Sequence, residues 1–407
     1  MHSFIFDSYN VDLTGRTLFF RYSLDGYSFI ERIELKEPLS KELNQDLLNA
    51  ILFNLHLALG ISYWKLLCPT HIEVRSGKLS KKQAAFWDTI YTEGLGEFYY
   101  RNNIDFRGRV SFPYADKPSF VPDGASLTVG KRQLVGIGGG KDSALTWEMM
   151  KKKKIDATGL VIETQKKFGM VDNLAKIGNI PLIHVSRTVD PQIAVLSKQP
   201  GFYHGHVPIS MIYAWIGMLV CVANGFQSFV ASNEKSAEEG NIEYLGAQIN
   251  HQWSKTMRFE KLFSAYVKQF ISPDLKYYSP LRKLTELEII GQFVKYPKYF
   301  PFVSSCNRNF STTHPLVEKL WCGECAKCAF AFLLFAAHLP KEQVVTMFGK
   351  NMFQDERLIG LFRDLEGRGG MKPFDCVGTF EEAQEALAMI NKKGEFKNDV
   401  VFEALMK

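Results

Sequence analysis

The segment "VGIGGGKDSAL", Val135 to Leu145, carries the strongest structural signal in this chain. An apolar run (Leu134, Val135, Ile137) leads into three consecutive glycines, Gly138, Gly139 and Gly140, and a helix-forming run (Ala144, Leu145, Trp147, Met149, Met150) follows. That order predicts a strand, a tight loop and a helix whose N-terminus opens on the loop, where glycines let backbone amides approach an anion. Two familiar glycine loops fail residue by residue. A Walker-type loop needs Gly at Val135 and Ser or Thr at Asp142. A dinucleotide fingerprint needs its third Gly at Lys141 or at Ser143, depending on where it starts.

What remains, Gly-Gly-Gly-Lys-Asp-Ser, resembles the SGGxDS loop of the PP-loop ATP pyrophosphatases, with Gly138 in place of the first Ser. The resemblance implies ATP as ligand. The amides of Gly139, Gly140 and the first helical turn, with the Ser143 hydroxyl, would donate to a pyrophosphate at a helix N-terminus. Asp142 would hold Mg2+ or cap the helix. Lys141 belongs to the same loop, and Glu163, at the end of a later strand, is grouped with it as nucleotide-binding. The alternative is a Gly-rich turn whose Asp-Ser pair merely caps a helix.

Outward from the loop, "QLVGIG", "ATGLVIE", "PLIHVS" and "QSFVAS" read as four strands separated by helical stretches. This alternation predicts an α/β domain with a parallel sheet covered on both faces. Ligands in such sheets bind beyond the carboxyl ends of strands, where the strand order reverses. The first 125 residues read instead as an α+β domain. "TLFFRYSL" and "SFIERIEL" flank Asp25-Gly26 as a hairpin, and helical spacing follows from Leu43 to Leu67 and from Lys81 to Asn102. A Pro-rich passage from Phe112 to Pro122 reads as a linker. The expected division is therefore 1–125, a PP-loop domain over 126–345, and a helical C-terminal tail over 346–407.

Composition sets broader limits. The 407 residues, 46% hydrophobic and 23% charged, are ordinary for a globular protein of two or three domains. A net charge of +6 fits an anionic small molecule as well as RNA. Nucleic acid is not the expected partner, because Lys151 to Lys154 and "KYPKYF" are the main basic stretches. The opening "MHSFIFDSYNVDL" does not read as a secretory leader, and neither a leader nor a membrane span is expected; Ile209 to Ala223 comes nearest to a span, and it reads as a buried helix after Pro208. Seven cysteines, four of them gathered late in the chain, suggest a reducing, cytoplasmic setting.

Those four are Cys306 in "SSCNRNF" and Cys322, Cys325 and Cys328 in "LWCGECAKCAF". Consecutive C-x2-C spacings with an upstream Cys suit a structural Zn2+. Burial of Cys328 by packing, or redox chemistry, are the competing readings. Polar residues also gather in "GFYHGHVPISM" and in Ala231 to Phe263, which offer His206, Asn233, Glu234, Ser236, His251, Lys255 and Arg258 as a substrate-facing wall.

In order, "GIGGGKDS", "GHVP", "SNEKSA", "NHQWSK", "SCNRN" and "WCGECAKCAF" resemble the MurL family of UDP-N-acetylmuramoyl-L-alanyl-L-glutamate epimerases, and "GISYWK" (Gly60 to Lys65) extends the likeness weakly toward the N-terminus. The resemblance implies inversion of the terminal L-Glu of UDP-MurNAc-L-Ala-L-Glu to D-Glu, with ATP and Mg2+ consumed to AMP and pyrophosphate. A carbon acid next to a carboxylate resists deprotonation, and adenylation would remove that charge. A base and an acid must then flank the carbon. His206, Glu234 and Lys255 are the candidates by polarity and location; Asn233, Ser236, His251 and Arg258 are the substrate candidates. Another PP-loop enzyme, a 7-cyano-7-deazaguanine synthase-like ligase or a tRNA-modifying enzyme, is the main rival.

Overall fold

The computed structural model describes residues 2–120, 130–164, 169–310, 319–370 and 372–407. Nine strands form one mixed, mostly parallel sheet. They are β1 (Ser3–Val11), β2 (Thr17–Leu24), β3 (Tyr27–Leu35), β4 (His71–Val74), β5 (Gln133–Gly136), β6 (Ala157–Thr164), β7 (Leu182–Thr188), β8 (Ser228–Val230) and, after a small hairpin of β9 (Ile242–Tyr244) and β10 (Ala247–Ile249), β11 (Lys276–Tyr278). Their order across the sheet is β11-β8-β5-β6-β7-β3-β2-β1-β4. The chain winds from β5 through β6 to β7, then returns to β8 on the other side of β5. The strand order therefore reverses between β5 and β8, beside the glycine loop.

Alternation along each inner strand divides two cores. Leu134, Leu160 and Phe229 face one, with the helices Gln45–Trp64 and Ile209–Asn224, while their neighbours Val135, Val161 and Val230 face the other. The second core is built with Lys141–Lys152, Ala326–His338 and the helices that follow to Met406. Among the described residues Gln45–Trp64, at 20 residues, is the apolar helix nearest in length to a membrane span, and 94% of its most apolar window is buried inside the protein. The segment singled out in the sequence, Ile209 to Ala223, forms the shorter helix Ile209–Asn224, which is also largely buried.

The hairpin forms as expected, with Leu24 opposite Tyr27. The helix expected from Lys81 to Asn102 is two, Lys81–Glu93 and Gly96–Arg101, parted at Gly94 and Leu95. The boundary expected at 125–126 and the Pro122 end of the linker lie outside the described residues. The sheet itself runs across that division: β3 pairs antiparallel with β7, Arg32 opposite Thr188 and Leu35 opposite Val185. The boundary expected at 345–346 falls inside the helix Lys341–Phe348.

At the seam between β3 and β7, Arg187 Nε sits 2.6 Å from Glu31 Oε1, and both side chains are almost fully buried. Burial pushes the Glu31 carboxyl up, against the opposing pull of Arg187. Arg187→Met is expected to destabilise the fold by about 3–5 kcal/mol, because an uncompensated carboxylate is left in the core. Urea unfolding measures it. Adding Glu31→Gln should recover part of the loss, and a neutral single variant would contradict the pairing.

Candidate active site at the glycine loop

The strand β5 ends at Gly136, and the helix Lys141–Lys152 begins with Gly140 as its N-cap. Gly139 carries the turn at φ +82°, a conformation that favours glycine. A Cβ placed on Gly138 would meet nothing within 4 Å, so the Ser of the related loops would fit there. The Ser143 hydroxyl donates to Gly140 O at 3.0 Å. Asp142 does not cap the helix, since no side chain caps it. Instead its Oδ1 accepts from Lys141 Nζ at 2.6 Å, and Glu286 Oε2 lies 2.5 Å from the same ammonium. Burial opposes charge on Lys141, but these two carboxylates hold its pKa above the ordinary lysine range. Burial pushes Glu286 up to about 8 against the pull of Lys141.

A cavity of about 390 Å3 opens in front of the loop. Gly138, Gly140, Asp142 and Ser143 form one wall; Ser232 and Asn233, after β8, form another; Lys255, Ser304, Ser305, Lys327 and Cys376 complete it. Its apolar side comes from Leu160, Ile162, Ile209, Tyr213 and Phe229. A smaller space of about 70 Å3 continues behind it, between Lys141, Asp142, Lys255, Glu286, Lys327 and Cys376. The site thus joins an amide-lined helix N-terminus, three ammonium groups and a thiol.

Of the residues expected from the sequence, Gly138, Gly140, Asp142, Ser143, Asn233 and Lys255 line the larger cavity, and Lys141 borders the smaller one. Glu163 lines neither; its Oε1 lies 3.5 Å from His184 Nδ1. Ser236 is structural: its hydroxyl donates to Glu382 Oε1 at 2.8 Å and accepts from the Glu286 amide at 3.1 Å. Arg258 is exposed, ion-paired with Glu93 at 2.5 Å, and borders a separate cleft. Glu234 is 1% exposed and lines neither cavity, and burial raises its pKa against the pull of Lys255.

His206 and His251 lie against each other with ring centroids 4.6 Å apart and planes tilted by 50°, and they share Glu97, whose Oε2 is 3.4 Å from His206 Nδ1 and 2.5 Å from His251 Nδ1. Burial, reinforced by the charge on His251, pulls His206 down to about 3. His251 goes the other way. Burial lowers it, but hydrogen bonds to Cys376 and Glu97 outweigh that and lift it to about 9. The backbone that presents His206 is held by Lys65, whose ammonium donates to Gly205 O, so "GISYWK" and "GHVP" meet in space.

Lys327, Cys376 and Glu97 were missed in the sequence. Lys327 stands inside "CAKC", where the cysteines draw the eye. Cys376 is isolated in "PFDCVG" and has no periodic context, and Glu97 falls on a short helix without a motif.

The four late cysteines do converge. Their Sγ atoms all lie within 4.8 Å of one another, and Cys322 and Cys328 are 3.7 Å apart. A tetrahedral Zn2+ with Zn–S of about 2.3 Å separates its sulfurs by about 3.8 Å, so the spacing suits one ion. The cluster also fixes the cavity wall, because Ser304 and Ser305 precede Cys306 and Lys327 lies between Cys325 and Cys328.

The MurL N-terminal domain model matches residues 1–280 and the MurL C-terminal domain model residues 302–407. A UDP-N-acetyl-alpha-D-muramoyl-L-alanyl-L-glutamate epimerase from Xanthomonas oryzae pv. oryzae is 35% identical over 353 residues, 87% of this chain and 77% of the relative. Enzymes of the same name from Salinispora tropica and a Micromonospora species are 32% and 33% identical over the whole chain, covering 88% and 90% of their lengths. With matches of this identity and extent, the chain belongs to the MurL family.

Proposed function

We propose that this protein converts the terminal L-Glu of UDP-MurNAc-L-Ala-L-Glu to D-Glu in peptidoglycan precursor synthesis, with ATP consumed to AMP and pyrophosphate. The observation that carries the reading is the shared cavity, in which the glycine loop and the Lys255, Lys327 and Cys376 wall face one space. The substrate follows from the named activity of the relatives.

The loop amides and Ser143 hold the pyrophosphate at the helix N-terminus. Asp142, one carboxylate at the cavity edge, suits Mg2+, which prefers a few protein oxygens together with phosphate oxygens and, when bound, offsets phosphate charge. Lys255 stays charged: burial disfavours it, but Cys376, Glu234, Asp142 and Glu286 hold its pKa above the ordinary range. It therefore serves as an anchor for carboxylate or developing enolate charge rather than as a base. His206, neutral and outside the cavity, supports the His251 ring, and Glu234 holds Lys255 charged. The cysteine cluster binds a structural Zn2+ that keeps Ser305 and Lys327 in place.

Incubation with ATP, Mg2+ and the dipeptide, followed by hydrolysis and chiral chromatography, should yield D-Glu only when ATP is present. AMP release with the glutamate still wholly L would contradict the epimerase reading and favour a ligase.

A further inference from the structure

We propose that Cys376, paired with His251 and through it with Glu97, takes the proton from one face of the reacting carbon; this rests on the epimerase reading above. Cys376 is half-buried and borders both the cavity in front of the glycine loop and the smaller space behind it. It is the only thiol on either cavity wall among the described residues. His251, whose charge is favoured by the neighbouring Cys376 and Glu97, is gripped by Glu97 at 2.5 Å, which sets carboxylate, imidazole and thiol in the order by which a base or nucleophile is oriented and kept ionised.

The charges around the sulfur agree. Burial favours the neutral thiol, but Lys255, Lys327 and the His251 hydrogen bond overcome it and hold Cys376 well below the usual thiol range. Asp142 and Glu286 share the smaller space with it, and Glu234 and Asp375 act on it from nearby; burial pushes the Glu286, Glu234 and Asp375 carboxyls up. Cys376 is thus a ready base in a site where Lys255 is locked as a cation. In the step, the Cα–H bond of the adenylated glutamate breaks, an S–H bond forms on Cys376, and the bonding pair moves into the enolate of the activated carboxyl, beside Lys255.

The test compares wild type with Cys376→Ser in D2O containing ATP, Mg2+ and the dipeptide. The serine variant should release AMP within several-fold of wild type while α-deuterium incorporation falls by about 10^2- to 10^4-fold. A second reading needs no turnover: iodoacetamide labelling of the Cys376 peptide against pH, by mass spectrometry. The transition should lie below the ordinary thiol range in wild type and move upward in His251→Gln. Exchange by Cys376→Ser at the wild-type rate, or a thioester trapped on Cys376, would overturn the assignment. An unshifted labelling profile in His251→Gln would overturn the pairing. Wild type that neither releases AMP nor exchanges deuterium would instead sink the epimerase reading, and the base assignment with it.

Discussion

Ser143→Ala and Asp142→Ala are each expected to cut AMP release by about 10^2- to 10^3-fold, the scale for removing one preorganised group from a developing charge. In the resting site the Ser143 hydroxyl satisfies only the Gly140 carbonyl, a bond that it can exchange for a phosphate oxygen. Its removal should hardly move the thermal midpoint. Asp142 has a structural partner in Lys141, but that ammonium keeps Glu286 at 2.5 Å, so the variant should still fold. AMP release measured by chromatography, alongside a thermal melt, separates the two effects. Wild-type rates in both variants would remove the loop from the chemistry.

The second large effect concerns the cysteines. Cys322→Ser with Cys328→Ser is expected to lower bound zinc from about one equivalent to none. A structural Zn2+ contributes folding free energy directly, so the variant should lose stability on the order of several kcal/mol. Activity should fall as well, since the cluster fixes Ser304, Ser305 and Lys327 on the cavity wall. Elemental analysis and thermal unfolding check both halves. Active protein purified without metal would show that the thiols pack together without an ion.

The parts of this molecule that could be read in advance were those whose physics is local. Three glycines between an apolar run and an amphipathic run specify a strand-to-helix turn wherever they occur, and the β5 loop forms as its residues dictate. The late cysteines likewise announce their convergence by spacing. What was hidden depends on long-range pairing. Nothing within β3 says that its partner is β7, at least 150 residues away, and that pairing joins the N-terminal strands to the glycine-loop sheet. The same distance hid Glu97, which reaches His251 only after folding, and Cys376, which enters the cavity from the C-terminal region. Polar residues near a strand end were read as substrate-facing for want of their partners. Ser236 turned out to bind Glu382, and Arg258 to bind Glu93.

The central claim is that adenylation serves to acidify a carbon-bound proton, and deuterium reports on that directly. With ATP, Mg2+ and UDP-MurNAc-L-Ala-L-Glu in D2O, the account predicts D-Glu carrying deuterium at its α-carbon, with AMP formed alongside, and no exchange when ATP is omitted or replaced by an analogue that cannot be cleaved between its α- and β-phosphates. Deuterium entering the α-carbon equally well without ATP, or AMP accumulating while the α-proton is retained, would contradict it.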